Sequence, residues 1–143
     1  MSEIEHLLPR HTTLGEGSLW SVADDFEAEH GKIAHRRALV STPDTPHVPD
    51  GLTVDSERYL WSACWDGGNI LRYDPTGKLE RVIEVPVPRP TSCIFGGSAL
   101  DELYITTASI SLTAEERSTY PYSGDLFRLK TDFRGVEKFQ FTV

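Results

Sequence analysis

Proline, aromatic and turn positions recur along this chain at intervals of a little over forty residues, and that periodicity restricts the fold more than any other feature. Pro49 and Pro90 stand 41 residues apart, and Leu60-Trp61 is echoed by Leu103-Tyr104 at a spacing of 43. A four-stranded propeller repeat occupies about 40–45 residues. The middle copy predicts strands over residues 51–55, 59–65, 69–73 and 79–85, all short runs rich in β-branched and aromatic side chains. Between them lie Asp66-Gly67-Gly68 and Asp74-Pro75-Thr76-Gly77, where glycine supplies positive φ and proline presets the first corner of a turn. The last copy repeats the order over residues 91–95, 103–107, 125–129 and 136–141. The expected fold is all-β, built from four-stranded antiparallel meanders of propeller type. About three sheets fit, over residues 12–47, 48–87 and 88–143 of one domain.

Two copies depart from the pattern. In the last, residues 108–123 form an insertion, within which Thr113-Ala114-Glu115-Glu116 reads as a capping box opening a short helical turn. In the first, Glu16-Gly17 precedes Asp50-Gly51 by only 34 residues, whereas Gly31-Lys32-Ile33 precedes Gly77-Lys78-Leu79 by 46. Its second strand is therefore missing. Ahead of it, residues 4–8 form a short extended segment ended by Pro9, suited to the outer edge of the last sheet, where an unpaired edge needs cover.

Charge narrows the partners. Twenty-two acids against 14 bases give a formal net charge of -8, which argues against nucleic acid. No run approaches the ~18 apolar residues of a membrane span, and Met1-Ser2-Glu3-Ile4-Glu5 lacks the basic start of a signal peptide. No membrane partner and a cytoplasmic location are expected. Cys64 and Cys93 both lie in apolar runs, so buried free thiols are expected rather than a disulfide.

The chemistry resides in two similar stretches, Leu14-Gly15-Glu16-Gly17 and Val48-Pro49-Asp50-Gly51, each with an acid directly before glycine. Two acids placed alike on repeated strands could meet at a shared centre, and their oxygens suit hard cations. Turn chemistry alone makes each a turn residue instead, and at this level both readings stand. His6, His11, His30, His35 and His47 show no close metal-ligand spacing and read as surface residues; His47 is noted for its nearness to Asp50. Trp20, Trp61 and Trp65 are expected to pack between sheets, with Trp65-Asp66 alternatively lining a channel mouth.

Taken in order, Leu14-Gly15-Glu16-Gly17, Pro49-Asp50-Gly51-Leu52, Leu60-Trp61-Ser62-Ala63, Pro88-Arg89-Pro90-Thr91-Ser92-Cys93 with Phe95-Gly96-Gly97, and Leu103-Tyr104-Ile105-Thr106-Thr107 resemble the SMP-30/gluconolactonase/regucalcin-like family. The similarity covers residues 12–22 and nearly all of 26–141. It implies a six-bladed propeller, here partial, with one divalent cation (Ca²⁺, Zn²⁺, Mn²⁺ or Mg²⁺) at the mouth of its channel, hydrolysing a small sugar lactone. In that family a Glu, an Asn and an Asp hold the metal; Glu16 and Asp50 match the two acids, and Asp50 is also the candidate catalytic base. The Asn, with the substrate-binding Arg and Asn, belongs to a part of the pattern absent between Val22 and Phe26. Substrate-binding residues therefore stay unassigned. The leading expectation is a metal-dependent lactonase of gluconolactonase type. The alternative is a catalytically inactive metal-binding or assembly module, or a non-functional truncated product. Three open sheets also suggest a homodimer that completes the ring.

Overall fold

The computed structural model describes residues 4–8, 25–27, 32–34, 39–40 and 45–137. Within them one sheet contains β4 (Val48–Val54), β5 (Leu60–Trp65), β6 (Asn69–Tyr73) and β7 (Leu79–Glu84), hydrogen-bonded in sequence order. A second contains β8 (Pro90–Gly96), β9 (Glu102–Thr107), β10 (Leu126–Lys130) and β1 (Ile4–Leu8), in the order β1-β10-β9-β8. A hairpin of β2 (Asp25–Glu27) and β3 (Lys32–Ala34) is separate. Every pairing is antiparallel, so the all-β meander architecture is observed.

The outer strand of the second sheet comes from the other end of the chain. The edge of β10 is taken by β1, with Ile4 opposite Leu129 and Leu8 opposite Leu126, and this is the edge-covering role expected of residues 4–8. Residues 136–141 were expected to fill that position. Val136 and Glu137 are instead exposed and outside any strand, and residues 138–143 lie outside the described residues. Alternating apolar residues suit any half-buried edge, so the choice between two such segments rests on long-range pairing.

Turn chemistry explains the short connections. Between β6 and β7 the Asp74 carboxylate accepts from the Thr76 N–H (2.8 Å), the Thr76 hydroxyl (2.6 Å) and the Lys78 N–H (3.0 Å). Those bonds hold its pKa below the ordinary carboxylate value, the Thr76 hydroxyl foremost. Gly77 closes the turn at φ +90°, a conformation that disfavours any side chain.

The core lies between the two sheets. Trp61, Ala63, Ile70, Phe95, Leu103 and Ile105 are among its buried members, and strand alternation sends them to one side. Trp61, wholly buried, meets Phe95 edge-on at 5.3 Å and Phe133 at 5.5 Å, geometries that favour aromatic pairs. On the opposite face of the first sheet Cys64, Leu71 and Tyr73 pack with Val40 and Leu60.

Beneath this core, at the end of β4, sits a buried ion pair. Asp55, 1% exposed, accepts from Arg72 Nε (2.9 Å) and Nη2 (2.7 Å), from Trp61 Nε1 (2.9 Å), and from the backbone N–H groups of Glu57 and Tyr59 (2.9 Å each). Arg72, 2% exposed, also donates to Glu57 and Glu80, and its guanidinium lies 3.7 Å from the Tyr59 ring centroid and 3.8 Å from that of Phe133. Burial works against the charge, but the bonds Arg72 donates to Glu80, Asp55 and Glu57 outweigh it and raise the pKa. Phe133 follows β10, so the second sheet supplies one of the two rings that enclose a cation anchored in the first. Removing one partner leaves a buried charge uncompensated, which costs about 3–5 kcal/mol. Asp55→Ala and Arg72→Ala should each lower unfolding stability by about that much in urea titration, and the double variant should cost less than their sum. A loss under about 1 kcal/mol in both singles would show that the pair does not hold the sheets.

Candidate functional site

One end of the molecule gathers the starts of β4, β8 and β10 and the ends of β5, β9 and β1. The register makes this explicit: Val48 is opposite Trp65, Pro90 opposite Thr107, Leu126 opposite Thr106, and Leu8 opposite Leu126. The two sheets share this end, where Gly68 N–H in the β5–β6 turn donates to the carbonyl of Pro88, just ahead of β8 (3.0 Å).

Asp50 stands there on a β-bulge. Pro49 pairs with Cys64 and Leu52 with Ser62, so Asp50 and Gly51 together oppose a single residue of β5. The equivalent point of β8 is also irregular, since Pro90 pairs with Thr107 and Ser92 with Thr106, leaving Thr91 as the extra residue. Bulges re-aim side chains and are frequent beside functional sites. Thr91, buried, shares a 2.8 Å hydroxyl contact with Thr106 where the earlier copy carries the half-buried carboxylate of Asp50. The glycine after Asp50 is required by proximity. A Cβ at Gly51 would lie 2.5 Å from Ser92 Cβ and 2.7 Å from the Thr91 carbonyl oxygen, so β4 and β8 come together only because no side chain stands between them.

The other predicted site residue, Glu16, lies outside the described residues, as does Trp20. Its expected partnership with Asp50 is untouched by the described geometry. β1, however, delivers the chain at Leu8, beside Leu126, to the end that carries Asp50. The donor chemistry fits a hard cation at Asp50, but among the described residues no group of three or more His, Cys, Asp or Glu side chains is gathered as a metal cluster. A cation held at Asp50 would need oxygens beyond those gathered among the described residues.

His47, near Asp50 in sequence, is partly buried, and its Nε2 has no hydrogen-bond partner among the described residues. A Cβ on Gly67 would lie 2.9 Å from its own Cβ, so the ring packs beside the β5–β6 turn rather than on open surface as expected. Trp65, at the end of β5, is half-buried, with the Arg89 guanidinium 5.2 Å from its ring centroid. A cavity of about 750 Å³ lies elsewhere, lined by Trp61, Arg81, Ile83, Leu129, Lys130 and Phe133 among others, toward the far ends of the strands. It contains neither predicted site residue.

Both cysteines are buried and free, as expected. Cys93 Sγ sits 3.7 Å from the Trp61 carbonyl, on the core side of β8. Burial pushes the Cys64 thiol from 9.0 up to about 11, which leaves it protonated and a poor nucleophile. Tyr73 shifts the same way, through burial first and then through the nearby Cys64.

The sequence does not mark Arg89 as a site residue, and it leaves the insertion open between a solvated surface loop and a lid. The insertion does contain the expected capping box: helix α1 (Ala114–Thr119) has Thr113 Oγ1 accepting from Glu116 N–H (3.2 Å) and Glu116 Oε2 accepting from Thr113 N–H (2.7 Å). The Thr113 backbone N–H foremost, and then the Thr113 side chain, hold the Glu116 carboxyl below its ordinary pKa.

With the geometry in place, the comparisons are decisive for kinship. The model of the SMP-30/gluconolactonase/LRE-like region matches residues 16–109. The chain belongs to the SMP-30/gluconolactonase/LRE-like family. It is 37% identical over 121 residues to regucalcin of Gallus gallus, covering 83% of this chain and 40% of the relative. It is 39% identical over 122 residues to the pentonolactonase XacC of Haloferax volcanii, covering 82% and 42%. Its fold matches that of the calcium-binding protein regucalcin from Agrobacterium tumefaciens with a TM-score of 0.76 at 24% identity, over 82% of this chain and 40% of that one. This SMP-30/gluconolactonase/LRE-like chain therefore spans about two fifths of the length of the relatives it matches, and the sheets described above form part of a propeller. No helix among its described residues is long and apolar enough to cross a membrane.

The raised Cys64 pKa has a defined pH signature. Ionisation is easier in the unfolded chain, at 9.0, than in the fold, at about 11. The stability it supplies is complete below pH 9 and lost as pH rises through about 11. Thermal unfolding from pH 8 to 11 should show Cys64→Ala losing about 2 kcal/mol less than the parent across that window. Parallel pH profiles for the two proteins would place the alkaline loss elsewhere.

Proposed function

We propose that this chain carries part of a divalent-metal site for hydrolysis of small sugar lactones, with Asp50 as metal ligand and base. The observation that carries this reading is the placement of Asp50 on a bulge, at the shared end of two packed sheets, in a chain whose matched relatives include a pentonolactonase. Glu16 and Asp50 would hold the cation, and Ca²⁺, Mn²⁺, Mg²⁺ and Zn²⁺ all accept such oxygens. When bound, it supplies Lewis acidity toward an ester carbonyl.

The residues' own part follows from ester chemistry. Water attacks the lactone carbonyl carbon, the ring C–O bond breaks, and the water's proton passes to the departing ring oxygen. Asp50 orients the water and takes its proton as general base. A lactone is already an activated acyl group, so no covalent nucleophile is needed. The buried thiols of Cys64 and Cys93 are consistent with none being used.

Proton release followed by pH-stat on gluconolactone and a pentonolactone, with added Ca²⁺, Mn²⁺, Mg²⁺ or Zn²⁺ and with chelator, tests the reading. Chelator should abolish turnover, and Asp50→Asn and Glu16→Gln should each lower kcat/KM by about 10²- to 10⁴-fold. Turnover indifferent to chelator and to both substitutions would reject the site.

A second reading is favoured by the span of two fifths of the relatives: an inactive metal-binding or assembly module, in which two copies pair to complete a ring. Ile94, 42% exposed, lies on the face of β8 opposite the core residues Cys93 and Phe95, an apolar position open to such a contact. Static light scattering should then give twice the chain mass at micromolar concentration. A folded monomer of 16.0 kDa would reject pairing.

A further inference from the structure

The turns within the first sheet are short, whereas β9 and β10 are joined by residues 108–125 at the end of the molecule that carries Asp50. This connection has little core of its own. Helix α1 buries no residue, and Ile110, Tyr120 and Tyr122 are exposed while Ala108 and Leu112 are buried. Its two feet are pinned by backbone, since Ala108 N–H donates to the Arg89 carbonyl, the Thr107 hydroxyl donates to that of Asp125 (2.7 Å), and Gly124 N–H donates to the Thr107 hydroxyl (3.0 Å).

The middle is reached from outside by Arg89. Arg89 Nη1 donates to the Ile110 carbonyl, Arg89 Nε bonds Asp66 at 2.5 Å, and the guanidinium rests over Trp65. Asp66 holds a left-handed conformation, φ +59°, in the β5–β6 turn, an uncommon state for a non-glycine residue. Arg89 thus links the turn of one sheet, the start of β8 and the insertion of the other sheet, using the fixed fork of donors that a lysine lacks.

We infer that Arg89 is a positioning residue that clasps the 108–125 insertion across the Asp50 end, making its exposed Ile110, Tyr120 and Tyr122 the wall that selects which ligand reaches that end. Aromatic side chains present flat apolar faces to a sugar ring while their polar edges stay wet. The clasp itself is independent of any activity; the selecting wall rests on the lactonase reading.

Hydrogen–deuterium exchange on the whole chain decides the clasp. The reporters are the amides of Leu112, Tyr120 and Ser123, each bonded within the insertion. Arg89→Ala should speed their exchange by about tenfold or more while amides of β6 and β9 stay unchanged. Arg89→Lys, able to meet Asp66 but not Ile110 at the same time, should fall between. Arg81→Ala, which removes a half-exposed arginine at 45% exposure far from the insertion, should leave the reporters unmoved. Unchanged reporters in Arg89→Ala, or equal acceleration through β6 and β9, would overturn the clasp. If Arg89→Ala fails to fold, the Arg89→Lys result decides by the same criterion.

On a lactone that the parent turns over, Arg89→Ala should raise KM about tenfold with kcat within about twofold. A fall in kcat at constant KM would overturn the wall. Absence of turnover in the parent would count against the lactonase reading and the wall that rests on it, while leaving the exchange result on the clasp intact.

Discussion

Arg72 is the position on which the two sheets most depend. A guanidinium this deeply buried is tolerable only when nearly every donor is used, and here Asp55, Glu57 and Glu80 take them while Tyr59 and Phe133 close the two faces of its plane. The anchors belong to the first sheet and its turns, but Phe133 arrives from beyond β10. Full enclosure of the charge therefore requires the second sheet in place. The same Phe133 also meets Trp61, which donates to Asp55, so the polar network and the apolar core share their members.

At the opposite ends of the strands the geometry serves a different purpose. There the sheets meet through backbone, at Gly51 against Ser92 and at Gly68 against Pro88. Close approach of two strand starts leaves little room for side chains, and the bulges turn Asp50 and Thr91 out of regular register. One end of the molecule is thus stiffened by a buried charge, and the other carries irregular strands, a half-buried carboxylate and a long insertion. That division, a packed floor beneath an end built of bulges and a long loop, is how β scaffolds commonly carry function.

Membership of the SMP-30/gluconolactonase/LRE-like family sets the context for that mouth without supplying all of it. The matched segment covers residues 16–109, and the chain spans about two fifths of its relatives. The bulge that carries Asp50 is set by residues inside this segment, with Pro49 opposite Cys64, Leu52 opposite Ser62, and Gly51 against Thr91 and Ser92. Its local geometry is therefore a property of this chain.

Much of this was legible in the sequence because it depends on local chemistry. The strand periods, the Asp74 to Lys78 turn and the Thr113 to Glu116 capping box are encoded within a few residues of one another, and so is the acid-glycine pair at Asp50 and Gly51. What only the tertiary structure decided involves partners distant along the chain. Arg72 meets Asp55 across 17 residues, and Arg89 meets Asp66 and Ile110 across 23 and 21. Alternation alone could not choose between residues 4–8 and 136–141 for the outer strand. An amphipathic pattern specifies a face to bury, whereas the partner that buries it is set by which long-range contacts close together with the rest of the core.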